Sequence, residues 1–186
     1  PTRPWFLLVP QSNSPIAIIP SIGETALKNT WITQIHTWSS PQPKDEGISV
    51  LTESIKNIMP HKGNIGCELG QESQLRMSIN DFDKLRKNIS NFNFIDAGKI
   101  IWELRMIKSK DEIKKIKRIT SIASDVFDNL PNHIKVGMTE IEICNIFKKE
   151  LLSKGADHTL YMSCASGEGG YDQIICDPTE KKLQNG

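Results

Sequence analysis

The feature that most limits what this chain can fold into is a change of character between Ala97 and Met106. Before it, short runs of Leu, Val, Ile and Phe are punctuated by Gly, Pro, Ser and Asn. After it come long charged stretches with helical periodicity. Short strands and helices on one side, and two long amphipathic helices on the other, imply a boundary near residue 100. The 186 residues, 38% of them hydrophobic, suffice for one ordinary domain, or for a small domain plus part of another.

Ahead of the break, Trp5 to Pro10 and Pro15 to Pro20 are apolar runs separated by Gln11-Ser12-Asn13-Ser14, a hairpin signal. Their near-continuous apolarity predicts strands covered on both faces, as in a central sheet. Glu24 to Trp31 is helix-compatible, and Ile32 to Trp38 alternates loosely enough for a strand. Two prolines make 39–43 a loop. After Gly47, the residues Val50, Leu51, Ile55 and Ile58 recur at helical spacing and stop before Pro60. Asn64 to Leu69 reads as a strand, Ser78 with Asp81 caps a helix to Asn88, and Phe92 to Ala97 is a further strand. The order is that of a mixed α/β domain. Gly98 to Met106 reads as a transition.

Beyond it, Ser109 with Glu112 forms a capping box for a helix. Its apolar stripe includes Ile113, Ile116, Ala123, Val126, Phe127 and Leu130 and ends at Pro131. The basic run Lys114, Lys115, Lys117, Arg118 is either a solvated face or an anion-binding patch. A second capping box, Thr139 with Glu142, opens a helix that ends at Gly155 in a left-handed cap. Ala156 to Ala165 is a strand candidate. The segment 166–186 follows, with four glycines up to Gly186 and the turn Asp177-Pro178-Thr179.

Charge excludes some partners. The 23 basic and 22 acidic residues leave a formal charge of +1, which gives no reason to expect nucleic acid or an anionic membrane. No apolar run approaches the ~20 residues that span a bilayer, and no secretory leader is visible. Cys67, Cys144, Cys164 and Cys176 are far apart without a C-x-x-C pair, which implies reduced thiols and a soluble, cytoplasmic protein. Pro1 rather than Met stands first, directly before a strand, and the final loop breaks off, so both ends are expected to be cut.

Candidate chemistry is sparse. His36, His61, His133 and His158 are scattered, and no metal site is expected within the chain, although His158 has the best local setting. Cys164 and Cys176 lack an identifiable base and read as small buried residues. Ser166-Gly167-Glu168-Gly169-Gly170 lacks the Gly-Lys-Ser/Thr ending of a phosphate loop. Its glycines either let the backbone approach a ligand, with Tyr171 and Asp172 as hydrogen-bonding tips, or serve turn geometry alone.

Asp96-Ala97, then Leu104-Arg105-Met106-Ile107-Lys108-Ser109, then Glu112-Ile113 resembles the join of the creatinase/prolidase/aminopeptidase P family of pita-bread metallohydrolases. Gly137-Met138-Thr139-Glu140, Gly155-Ala156, Ala165-Ser166-Gly167 and Pro178-Thr179 with Leu183 and Gly186 add to the likeness. The resemblance implies a creatinase-type N-terminal α/β domain at 1–98, without its opening strand and helix. At 99–186 it implies the first part of an α+β pita-bread catalytic domain. In the family, two aspartates, a histidine and two glutamates hold two divalent ions of the Mn, Co or Zn class, and all five would follow Gly186. The resemblance thus implies no catalytic residue and no metal ligand in this chain, and an inactive fragment.

Further implications follow from the same likeness. Ile175 stands where many of the family's peptidases carry a histidine, so the closer likeness is to the ectoine hydrolase-like or Xaa-Pro peptidase-like branch. The implied substrate is a dipeptide, an Xaa-Pro peptide or a small amide such as ectoine, and the implied assembly is a homodimer. Arg3 matches the arginine that creatinases send into the partner subunit's pocket to meet a carboxylate; Arg3, Tyr171 and Asp172 are the candidate substrate-binding residues. The alternatives are a non-catalytic peptide-binding module and a metal-independent creatinase-like hydrolase.

Overall fold

The computed structural model describes residues 3–170 and 173–185, and the chain divides into two compact units, Pro1–Met106 and Ile107–Gly186. The first contains β1 (Phe6–Leu8), β2 (Ile16–Pro20), α1 (Glu24–Lys28), β3 (Gln34–Trp38), α2 (Ile48–Ile58), β4 (Gly63–Cys67), α3 (Ile79–Asn88), β5 (Phe92–Asp96) and α4 (Gly98–Met106). Through residue 97 this is the order read from the sequence. β1 pairs antiparallel with β2, Phe6 opposite Ile18, which is the expected hairpin. β2 pairs in parallel with β3, and β4 with β5.

The expectation of one central sheet is corrected. The described strands form a three-stranded sheet, β1-β2-β3, and a separate two-stranded one, β4-β5. β2 is buried at all five positions, as its unbroken apolarity requires. β4 is not: it holds Gly63 and Gly66 and alternates between half-buried and exposed residues, the pattern of a strand covered on one face.

Helices α2 and α3 close the core of this unit. On α2, Ile48, Leu51 and Ile55 recur at three and four residues and turn one stripe inward. They meet Ile16, Ile18 and Trp38 from the first sheet, Leu85 and Ile89 from α3 and its end, and Phe92 from β5. Each buried Ile or Leu contributes about 1.5–3 kcal/mol relative to exposure, so this cluster is what joins the two sheets.

Residues 98–106 form a helix, not a transition. Only Gly98 is buried, while Ile100, Trp102, Leu104 and Met106 stay exposed, so no apolar stripe announces it. Its start is set from outside its own sequence: one oxygen of Asp96 accepts the N–H of Gly98 at 3.0 Å, and also those of Leu69 and Gly70 at 3.1 and 2.9 Å. These bonds, with Gly98 first, hold the Asp96 carboxyl below its ordinary pKa.

The second unit contains α5 (Lys110–Asn129) and α6 (Glu140–Ser153). Both capping boxes are formed, Ser109 with Glu112 and Thr139 with Glu142. Phe127 and Phe147 pack with ring centroids 4.4 Å apart. Gly155 has φ +97° and ends α6 in the left-handed conformation. Ser109→Ala should cost about 1 kcal/mol by unpairing the Glu112 N–H; a fall in 222-nm ellipticity and in the urea midpoint would register it, and an unchanged midpoint would deny the cap any role.

Ala156 to Ala165 is not a strand among the described residues, a second correction. A strand is defined by a neighbour's ladder, and no described strand lies along this segment. Its links are instead local, including the Ser163 hydroxyl, which donates to the Ile174 carbonyl at 3.4 Å and accepts the Cys176 N–H at 3.3 Å. No helix of the described residues is long and apolar enough to cross a membrane.

Candidate functional site

The second unit gathers its polar groups around one carboxylate. α6 begins at Glu140, directly after the Thr139 cap, and the box partner is Glu142, three residues on from that cap. That division of labour leaves Glu140 free to point elsewhere. It is buried, 3% exposed. Oε1 accepts the N–H of Ser166 at 2.8 Å and its hydroxyl at 2.7 Å. Oε2 accepts the N–H of Thr179 at 3.0 Å and its hydroxyl at 2.8 Å.

Four donors on one buried carboxylate stabilise its charge. Burial alone raises a carboxyl's pKa, but the bonds from Ser166 and Thr179 outweigh it and hold Glu140 down at about 2. No ion pair to Glu140 occurs among the described residues, so neutral dipoles carry the charge.

The chain after Thr179 is held in the same place. It runs antiparallel to the approach to α6, with Thr139 bridged to Lys182. Gly137 donates to the Leu183 carbonyl and Leu183 to the Met138 carbonyl, both at 2.9 Å, and Glu140 donates to the Lys181 carbonyl at 3.1 Å. The Lys181 ammonium reaches back to the Glu168 carbonyl at 2.7 Å. Between these anchors lies the glycine-rich turn. Gly167 and Gly169 have positive φ, and a Cβ on Gly170 would stand 2.8 Å from the Ser166 carbonyl oxygen, so glycine is required there for close backbone approach.

Two thiols belong to the same neighbourhood. The Cys176 thiol donates to the Cys164 carbonyl at 3.6 Å and lies 3.2 Å from the Ser163 hydroxyl. Burial, then the neighbouring Cys144, Glu140 and Cys176, push the Cys164 thiol up to about 11, so it stays protonated and is a poor nucleophile. His158 is exposed. Among the described residues no group of three or more His, Cys, Asp or Glu side chains could hold a metal ion.

Of the three candidate substrate-binding residues, only Arg3 is among the described ones. Tyr171 and Asp172 lie outside the described residues. Arg3, in the first unit, is partly exposed and pairs with Glu46, which also accepts the Gln42 N–H at 3.3 Å. Sequence reasoning missed the role of Glu140. The available signal was its position: Glu142 already occupies the box, so an acid at the first helical residue has no capping duty of its own.

The family model of the creatinase/prolidase N-terminal domain matches residues 1–107. A human Xaa-Pro dipeptidase is 23% identical over 171 residues, 84% of this chain and 34% of that protein. An uncharacterised peptidase of Bacillus subtilis, YqhT, is 34% identical over 80 residues, 42% of this chain and 23% of that protein. Among solved structures, a recombinant prolidase from Thermococcus sibiricus aligns with TM-score 0.81 at 24% identity, covering 99% of this chain and 48% of its own. A Xaa-Pro dipeptidase from Bacillus anthracis aligns with TM-score 0.76 at 21% identity, covering 100% and 49%. The chain therefore spans about half the length of these solved structures and about a third or less of these curated relatives.

Proposed function

The chain belongs to the creatinase/prolidase N-terminal domain family, and from that premise we propose that it forms the N-terminal domain and the opening of the catalytic domain of a metal-dependent hydrolase of the Xaa-Pro peptidase kind. The observation that carries the reading is the alignment of 99% of the chain, both units included, with a prolidase structure. The substrate class is a dipeptide, an Xaa-Pro peptide or a small amide such as ectoine, cleaved at a C–N bond. In this reading the second unit opens a pita-bread domain, and the protein is cytoplasmic and homodimeric.

Such a hydrolase uses two divalent ions to activate water and polarise the scissile carbonyl. The described residues do not fit that role, since they offer no suitable donor set. No bond-breaking step is assigned to this chain. Its part is to shape the surroundings: the loop anchored by Glu140 forms a wall, with Tyr171 and Asp172 as its candidate substrate-binding residues. Arg3 meets a substrate carboxylate across the dimer interface. For that it must exchange Glu46 for the ligand, which a guanidinium does without changing its charge.

The test compares this 186-residue chain with the complete polypeptide, using an Xaa-Pro dipeptide and Mn²⁺. The chain alone should release no amino acid, while the complete protein should hydrolyse the peptide, hold two ions and lose activity to a chelator. Metal-dependent turnover by the 186 residues alone would defeat the assignment. Binding of the peptide by the complete protein without hydrolysis would instead identify a peptide-binding module.

A further inference from the structure

We propose that Glu140 is the positioning residue that ties both anchors of the 166–179 segment, Ser166 and Thr179, to the start of α6 through a single carboxylate; this rests on reading that segment as a pocket wall. The two anchors, Ser166 and Thr179, are thirteen positions apart yet share the two oxygens of one side chain, a backbone N–H and a hydroxyl on each. A closed loop of this length loses backbone entropy, and the clamp is what offsets that loss at its base. Gly167 and Gly169, both at positive φ, let the backbone turn directly after the Ser166 anchor.

The chemistry is specific to a carboxylate. Both oxygens must accept from a backbone N–H, which cannot reverse its role. A glutamine presents one oxygen and one NH₂, so one of the two ends must face donor against donor. Aspartate is one methylene shorter and cannot span both anchors from the same backbone position. The hydroxyls are second contributors: Ser166→Ala removes one donor and leaves the N–H in place, whereas Thr179→Val removes one donor and also the acceptor of the Lys181 N–H at 3.2 Å.

The link between Lys181 and the Glu168 carbonyl holds the same loop from its far side, at an exposed position. It adds reach but not closure, because it ties the loop's interior to the strand-like tail rather than to α6. Glu140 alone, among the described residues, joins both loop ends to a helix.

Amide hydrogen exchange followed by mass spectrometry on the 186-residue chain tests the proposal without an activity assay, so its failure and the failure of the hydrolase reading are separable. In Glu140→Gln, peptides covering 163–183 should exchange about 10- to 100-fold faster, the loss expected for a charge-assisted bond at a local opening, while α5 keeps its rate. Thr179→Val should show a smaller rise in the same peptides, and Thr179→Ser should restore the original rate. If Glu140→Gln does not fold, Ser166→Ala against Ser166→Thr makes the same comparison. Unchanged exchange in 163–183, or an equal rise across α5 and the loop, or no rescue by the hydroxyl-bearing variants, would overturn the proposal.

Discussion

Glu140→Ala should lower the stability of the second unit by about 3 kcal/mol at neutral pH, the largest single-site effect expected there. The carboxylate is buried and satisfied by four donors. Removing it strands two backbone N–H groups and two hydroxyls, each of which then has to find water. The pH dependence carries a definite sign. Glu140 is held at about 2 in the folded chain against an ordinary 4.5, so the unfolded chain binds the proton first. Its contribution is fully present above about pH 5 and declines as pH falls from 4.5 toward 2. Wild type should therefore lose stability over that window, and Glu140→Gln should lose less. The difference between the two curves isolates this group from Asp45, Glu46, Asp96 and Glu112, whose pKa values are also lowered. All four tryptophans lie within 1–106. The shift is therefore followed in the ellipticity of the helices, which the second unit does supply. A flat difference curve between about pH 5 and pH 2.5 would remove the charge from the account.

What could be read from residues alone was whatever is locally encoded. The two capping boxes, the left-handed Gly155 and the turn between β1 and β2 each depend on a few neighbouring residues, and all are formed. Elements that depend on distant partners were not legible. α4 has no inward stripe, and the Asp96 carboxylate that starts it is shared with Leu69 and Gly70, nearly thirty residues away in sequence. Ala156 to Ala165 has strand-like composition, but composition cannot supply a neighbour. The division into two sheets depends on which strands exchange hydrogen bonds, not on apolar runs. The site shows the same contrast. Thr139 and Glu142 were recognisable as a cap, whereas Glu140 acquires its role only when Ser166 and Thr179 fold back onto it from 26 and 39 residues further along.

Gly47→Ala should destabilise the first unit by about 2–4 kcal/mol, through two separate causes that a control can divide. The residue closes the proline loop and directly precedes α2, where its φ of +85° turns the chain into the helix while its carbonyl accepts the Leu51 N–H at 2.9 Å. A side chain there meets first the intrinsic cost of the left-handed region, about 1 kcal/mol. It then meets the Trp38 ring: a Cβ would lie 2.7 Å from Cε3 and Cζ3, well inside contact distance. Trp38 cannot easily move aside, because it is 5% exposed and packed with Ile48 and Leu51 in the cluster that joins the two sheets. Gly137 provides the control, since it has φ +89° but nothing within 4 Å of where a Cβ would stand, so Gly137→Ala should incur the backbone cost alone. Denaturant unfolding followed by tryptophan fluorescence reads the first substitution, and ellipticity reads the second. The excess of the Gly47 effect over the Gly137 effect measures how firmly the Trp38 ring is held against α2. If the two substitutions cost the same, the ring is free to yield, and the packing that unites the sheets is looser than the close approach at Gly47 requires.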